Sequence, residues 1–113
     1  MMCMLFAGQD PATYVYVSRS VRLAGHSTSI RLEAAFWEIL EEIAAGQEMS
    51  LPRFLTVLHD EVLEFQGEVK NFASLLRCAC LTYATEVRGQ AAVEQALLQE
   101  AREANASPMV AAE

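Results

Sequence analysis

The chain has 113 residues, of which 53% are hydrophobic and 20% charged, and its formal net charge is −7. This length is typical of one domain, and the apolar fraction is sufficient for a hydrophobic core. The longest apolar run, residues 75–84, contains Arg77 and is shorter than the about 20 residues of a membrane span, and no basic region of a secretory signal opens the chain, so we expect a cytoplasmic protein without a membrane partner.

The first 24 residues predict an arm followed by an extended segment. Residues 1–18 have mixed character, with a turn at Asp10-Pro11 and a short run of strand-forming residues over 13–17. Residues 18–24 alternate between apolar and polar. This segment either forms a hairpin with the strand that follows or leads into it as an arm. We favour an arm or a partial hairpin, because Gly25-His26 is not one of the strong two-residue turn pairs.

Residues 27–32 predict a strand by their period of two. One side is apolar and the other polar: Thr28, Ile30 and Leu32 against Ser27, Ser29 and Arg31. A lone strand leaves the backbone groups of both edges without partners. We therefore expect it to pair with residues 20–24 of its own chain or with the same strand of a second chain.

From Glu33 the hydrophobic period changes to about 3.6 and predicts a helix over about 33–45. Its expected core side is Phe36, Leu40 and Ile43, with Trp37 at the edge or against a partner chain. Gly46 ends this helix. Ser50 is a typical N-cap for a second helix over about 50–64, with Pro52 in its first turn.

Asn71 caps a third helix, predicted over about 71–87. It is apolar nearly all round, so we expect a second subunit to cover part of it. Residues 90–104 have high helix propensity but few large apolar side chains, which predicts a weaker surface helix. Residues 105–113 are predicted to be a disordered tail.

The segment RSVRLAGHSTSIRLExxFW, residues 19–37, followed by a loop ending in Met-Ser-Leu and by EVxNF, resembles a ribbon-helix-helix subfamily from alphaproteobacteria that carries a third helix. The resemblance covers about residues 3–88. It implies a mostly α fold and a dimer in which each chain contributes one strand to an intermolecular antiparallel pair. The implied divisions are an arm over 1–18, a domain over 19–88 and a C-terminal helix with its tail over 89–113.

The resemblance also implies DNA binding by a homodimeric transcriptional regulator that inserts its strand pair into the major groove. We expect Ser27, Ser29 and Arg31 to face the base edges, since a two-stranded ribbon fits that groove. An ordinary solvent-facing strand side is the alternative for these three residues. The phosphate contacts are expected from Arg19, Arg22 and the start of the second helix: Ser50 and Leu51, with Arg53 in its first turn.

The charge distribution bears on both the main hypothesis and its alternative. Residues 1–32 carry three arginines against one aspartate, a net charge of +2, whereas residues 33–113 carry five basic and fourteen acidic residues, a net charge of −9. Positive charge is thus confined to the predicted ribbon. The alternative is an interaction module or antitoxin-like adaptor of the same fold, without DNA binding, whose acidic helices or C-terminal helix bind a protein.

We expect no enzymatic activity, cofactor or metal. The sequence contains no paired carboxylates, phosphate-binding loop or nucleophile with a nearby base. Cys78 and Cys80 lie two residues apart in a predicted helix, about 200° around its axis, so they cannot share a metal ion. Both are expected to be buried thiols.

Overall fold

The structure, a computed structural model, describes residues 2–106 of the chain. Of the disordered tail predicted over 105–113, residues 105 and 106 are helical instead, and the rest lies outside the described residues. The elements, in chain order, are α1 (Met2–Ala7), α2 (Pro11–Tyr14), β1 (Tyr16–Leu23), β2 (His26–Glu33), α3 (Ala34–Gly46), α4 (Leu51–Gln66), α5 (Phe72–Thr82), a π-helical segment (Tyr83–Arg88) and α6 (Gly89–Ala106). The fold is mostly helical, as predicted. The chain divides into two compact units, one ending at Cys80 and one beginning at Leu81.

The predicted arm is helical before β1 begins. Asp10 caps α2, since its Oδ1 accepts a hydrogen bond from the Ala12 N–H at 3.0 Å, and Pro11 occupies the first helical position. The turn expected at these residues is thus a helix start. The strand-forming run predicted over 13–17 contributes only its last two residues to β1.

β1 and β2 form a two-stranded antiparallel sheet within one chain. Leu23 pairs with His26, and the two-residue loop between them is Ala24-Gly25. Both loop residues have positive φ, 52° and 82°. A type I′ turn requires this conformation, and its twist matches that of the flanking strands.

The structure therefore corrects the expectation of an arm or partial hairpin: β1 pairs with β2 along its whole length. The sequence pattern did not indicate the turn because Ala24 fills a position that alanine rarely occupies, with glycine second. One edge of β2 is thus satisfied within the chain. Only the other edge of β2 can pair with a second chain.

The core of the first unit lies between the hairpin and the helices α3, α4 and α5. The side of the hairpin that faces the helices is called the inner face here, and its buried residues are Val21, Leu23, Ile30 and Leu32. Opposite residues on neighbouring strands share a face, so the polar alternation of β1 and β2 lies on the other side. We call that other side the outer face.

Helix α3 is rotated relative to the prediction. Its buried residues are Trp37, Leu40 and Ala44. Placing Trp37 at the edge was wrong, because it is 2% exposed and its Nε1 donates a hydrogen bond to the Val17 carbonyl at 2.9 Å. An indole is buried readily when its one donor finds a partner. Phe36 and Ile43, predicted to be core, are only partly buried.

Helix α4 begins and ends as predicted, within two residues. The Ser50 Oγ accepts a hydrogen bond from the Arg53 N–H at 3.3 Å. Gly67 closes the other end at φ 79°, and its N–H bonds to the Leu63 carbonyl at 2.8 Å. Leu51, Phe54 and Leu55 are the buried residues of this helix. The start of α4 is therefore fixed against the core.

Helix α5 is held to the end of the hairpin by an ion pair. The Nε and Nη2 of Arg77 donate to the Glu33 Oε1 at 3.0 and 2.9 Å. This hydrogen bonding holds the pKa of Glu33 below its ordinary value, and the positive charge of Arg77 adds to the effect. Cys80 is buried as predicted, whereas Cys78 is exposed, so its expected burial was wrong. On an 11-residue helix with one side in the core, two residues spaced by two cannot both face inward.

The second unit contains the π-helical segment and α6. The third helix, predicted over 71–87 as one α-helix, is α-helical only to Thr82 and π-helical over Tyr83–Arg88. The large apolar side chains of α6 are exposed: Val93, Leu97 and Leu98. No helix among residues 2–106 is both long enough and apolar enough to cross a membrane.

Candidate nucleic-acid interface

The outer face of the hairpin carries six exposed polar side chains in three cross-strand pairs. They are Ser18 opposite Arg31, Ser20 opposite Ser29, and Arg22 opposite Ser27. Four hydroxyl groups, each a donor and an acceptor, thus lie between two guanidinium groups. None of the six is a carboxylate. The fourth pair on this face is Tyr16 opposite Glu33, whose carboxylate is bound to Arg77. The face is therefore positive and rich in hydrogen-bond donors, although the whole chain is acidic.

Arg31 is oriented by an aromatic ring. Its guanidinium carbon lies 4.3 Å from the centroid of the Tyr16 ring, within the range of a cation–π contact. Stacking fixes the plane of the guanidinium fork and leaves its edges available for hydrogen bonds. Arg22, at the other end of the face, donates from Nη1 to the Gly25 carbonyl at 3.1 Å.

The free edge of β2 presents unpaired backbone groups. In an antiparallel pair, hydrogen-bonded and non-hydrogen-bonded positions alternate, and the pair that closes a two-residue turn is hydrogen-bonded. The N–H and C=O groups of Ser27, Ser29 and Arg31 therefore point away from β1. By the same alternation, the Arg22 carbonyl points away from β2. It accepts a hydrogen bond from the Thr56 hydroxyl at 3.0 Å. Among the described residues, no strand pairs with the free edge of β2.

Arg19 belongs to the opposite side of the hairpin. It stands across from Ile30 in the register, so its side chain shares the inner face. Its Nη1 lies 3.1 Å from the Glu41 Oε1, and its guanidinium carbon lies 4.9 Å from the Trp37 ring centroid. Both partners of the ion pair remain about half exposed. The charge of Arg19 is therefore partly neutralised within the protein.

The start of α4 borders a cleft of about 320 Å³. Three of the predicted phosphate-binding residues line it together: Arg19, Ser50 and Leu51. Pro52 has no N–H, and the Arg53 N–H is already bonded to Ser50. The Leu51 N–H is therefore the main amide left for an anion in the first turn. Arg53 itself is exposed outside the cleft lining.

Comparison with known proteins identifies the fold. A family model described as a ribbon-helix-helix domain matches residues 16–84. The chain belongs to the ribbon-helix-helix family. A solved structure of an uncharacterized protein from Bordetella pertussis Tohama I is similar, with 42% sequence identity, a TM-score of 0.74, and coverage of 78% of this chain and 71% of that one. Proteins with curated descriptions give no match.

Ribbon-helix-helix proteins generally bind DNA as regulators or antitoxins, and they typically form dimers. The match begins at Tyr16 and so includes β1 as well as β2 and the helices α3 and α4. The hairpin is therefore within the family domain and not an appended segment.

The structure gathers the predicted site residues of this ribbon-helix-helix chain into two groups. The predicted base-contacting residues, Ser27, Ser29 and Arg31, share the outer face with Arg22. Arg19, Ser50 and Leu51 surround the cleft at the start of α4. No group of three or more His, Cys, Asp or Glu side chains in the described part of the chain is arranged to hold a metal ion.

Three residues of the outer face were missed by the sequence reasoning: Tyr16, Ser18 and Ser20. Residues two apart in a strand lie on the same side, so Arg19 lies on the side of Val21 and Leu23. Tyr16, Ser18 and Ser20 then lie on the opposite, polar side. The signal was therefore present in the alternation. Without a recognised turn, nothing indicated that β1 would lie beside β2 and extend its polar surface.

Proposed function

We propose that this chain is a homodimeric DNA-binding protein, a cytoplasmic transcriptional regulator that reads the major groove with β-strands. The observation that supports this function best is the outer face of a chain of net charge −7: three of its cross-strand pairs hold four hydroxyl groups and two guanidinium groups, and the carboxylate of Glu33 at its end is bound to Arg77. Such a composition is suited to contacts with base edges and phosphates.

The dimer would form through the free edges of two β2 strands. An antiparallel pairing centred on Ser29 would create about six main-chain hydrogen bonds, because three residues of each strand present outward N–H and C=O groups. Partly buried apolar residues of α3 support an additional contact between the chains: Phe36, Ile39 and Ile43. Pairing removes an exposed strand edge, which is otherwise prone to association with other chains.

In this dimer the β2 strands provide the base contacts. Arg31 is the residue best suited to guanine, whose O6 and N7 accept the two parallel bonds of a guanidinium fork. The Tyr16 ring holds that fork in one plane before DNA arrives. Ser27 and Ser29 add short hydrogen bonds that either donate or accept, so their preference among bases is weaker.

Phosphate contacts come from Arg22, Arg53 and the start of α4. Arg22 lies on the outer face and needs to give up only its bond to the Gly25 carbonyl. The Leu51 N–H and the positive end of the α4 dipole favour an anion beside Ser50. Arg19 joins them only by leaving Glu41, so we expect it to contribute least.

Duplex binding by wild type and by Arg31→Ala at several salt concentrations tests this function. Wild type should select particular sequences from a random duplex pool, with affinity falling as salt rises. Arg31→Ala should lose about 1–3 kcal/mol of discrimination at the base it reads.

Arg102→Ala is the matched control, because it removes the same charge from exposed α6. It should bind the selected duplex as wild type does. Equal affinities for wild type and Arg31→Ala, or the absence of salt-dependent binding, would contradict base reading. A solution mass that corresponds to one chain at binding concentrations would contradict the dimer.

The exposed apolar residues of α6 support a second function, an antitoxin-like adaptor that binds another protein. Val93, Leu97 and Leu98 are each more than half exposed. They occupy one side of an 18-residue helix, an arrangement suited to a partner groove. Deletion of residues 89–113 separates the two functions: a regulator keeps its DNA affinity, whereas an adaptor loses its protein partner in a pull-down.

A further inference from the structure

The hairpin changes how many strands a dimer would bring to DNA. If two chains pair through their β2 edges, as proposed above, the sheet contains four strands in the order β1, β2, then β2 and β1 of the second copy. The outer face is continuous across all four strands, since paired residues share a face. This inference rests on the proposed function and extends it to β1.

A four-stranded sheet is too wide to enter the major groove as a whole. Neighbouring strands lie about 4.8 Å apart, so the two β2 strands span about 5 Å and the two β1 strands about 14 Å. The major groove of B-DNA is about 12 Å wide. The central strands therefore fit between the groove walls, whereas the outer strands lie over the walls, which are the sugar–phosphate backbones.

We infer that Ser18 and Ser20 of β1 bind the DNA backbone and that base reading is confined to β2. Both serines are exposed on the outer face, opposite Arg31 and Ser29 respectively. Arg31 and Ser29 thus each have a hydroxyl donor about 5 Å further toward the groove wall, whereas Ser27 has the guanidinium of Arg22 there. A serine hydroxyl donates one hydrogen bond to a phosphate oxygen without adding charge.

The chemistry of β1 fits this position. Its outer face carries Ser18, Ser20 and Arg22 and no acidic residue, so nothing in this row repels phosphate. The serines hold no side-chain hydrogen bond to another described residue that would have to break first. Backbone contacts of this kind fix register and orientation and carry no sequence information. In each hairpin, β1 thus positions the protein on the DNA backbone, and β2 contacts the bases.

The test compares two double variants that make the same chemical change on neighbouring strands: Ser18→Ala with Ser20→Ala, and Ser27→Ala with Ser29→Ala. Each is measured for affinity to a duplex selected by wild type and to an unrelated duplex, and each is used in a new selection from random duplexes. Thermal unfolding of each variant confirms that the exposed substitutions leave the fold intact.

The β1 double variant should lose affinity for both duplexes by the same factor, roughly 30-fold or more for four hydroxyl contacts per dimer, and should select the wild-type sequence. The β2 double variant should lose more on the selected duplex and should select a changed sequence. Wild-type affinity of the β1 variant, or a changed sequence preference, would overturn the inference and leave the proposed function standing. If wild type binds no duplex, the proposed function and this inference fail together.

Discussion

The four apolar residues at the centre of the inner face, Val21, Leu23, Ile30 and Leu32, are at most 8% exposed, whereas the six polar side chains paired across the outer face are all exposed. The difference follows from strand parity together with the helices that cover one side, since successive side chains point to opposite sides. Arg19 and Arg22 illustrate its effect. Three positions apart, they fall on opposite faces: Arg19 contacts Glu41 and Trp37, while Arg22 stands in a row of polar groups without an acid. The role of an arginine in this hairpin can therefore be predicted only when the face on which it lies is known.

The largest expected effect concerns stability on the inner face. Leu32 is 0% exposed, and Leu32→Ala should reduce the free energy of unfolding by about 2–5 kcal/mol, because it removes buried methyl groups and leaves a cavity. Ser29→Ala, on the outer face, should change it by about 0.5 kcal/mol at most. Urea denaturation at one fixed protein concentration measures both. Similar losses for the two variants would contradict the division into faces.

Substitution of Arg19 and of Arg22 should have different effects on the salt dependence of DNA binding. Arg22→Ala should lower the magnitude of the log–log salt slope by about 2 per dimer, because one phosphate contact per chain is lost. Arg19→Ala should leave that slope nearly unchanged and should cost about 1 kcal/mol of stability or less, since its ion pair is half exposed. Titration of one duplex at four salt concentrations gives the slopes. An equally reduced slope for both variants would show that Arg19 also binds phosphate, and the wild-type slope for both would contradict a phosphate contact from Arg22.

A smaller effect is expected where the outer face depends on an aromatic ring. Tyr16→Ala removes the surface on which Arg31 stacks and should weaken DNA binding by about 3-fold, in line with an exposed cation–π contact. Tyr16→Phe keeps the ring and should bind nearly as wild type does. A loss shared by both variants would assign the effect to the tyrosine hydroxyl instead of to stacking.

The smallest expected effect is the pH dependence of the ion pair at the end of β2. Hydrogen bonding to Arg77 lowers the pKa of Glu33 from its ordinary value of 4.5. Above pH 4.5 the ion pair therefore makes its full contribution to the free energy of unfolding. The stabilisation is lost as the pH falls from 4.5 through the lowered pKa. The difference in Tm between wild type and Glu33→Gln should therefore be largest near neutral pH and shrink below 4.5. Glu64→Gln, an exposed change of the same charge, is the control; a difference independent of pH would exclude linkage to Glu33.

Local sequence signals predicted the bounds of α3 and α4 and the buried side of β2. The predicted bounds of α3 and α4 lie within two residues of those observed, because Gly46, Ser50 and Pro52 are strong local signals. Ile30 and Leu32 were assigned to the core by alternation. These features depend on short-range geometry that any chain of this pattern shares.

The remaining features depend on contacts between distant residues. Trp37 lies one position off the expected stripe, and only the Val17 carbonyl, twenty residues away, explains its burial. The cleft at the start of α4 arises from residues of β1, α3 and α4 together. Pairing of β1 with β2 required a turn with an atypical first residue. No local pattern contains this information.

Ala24 gives a practical means of separating folding from recognition. Its φ of 52° is a left-handed conformation that an alanine adopts at a cost of about 1–2 kcal/mol, and asparagine tolerates this region better. Ala24→Asn should therefore raise the free energy of unfolding through the hairpin turn, outside both faces. Weakened variants of either face could then be compared in a background that remains folded, so that lost affinity reports on the missing contact and not on a melted protein.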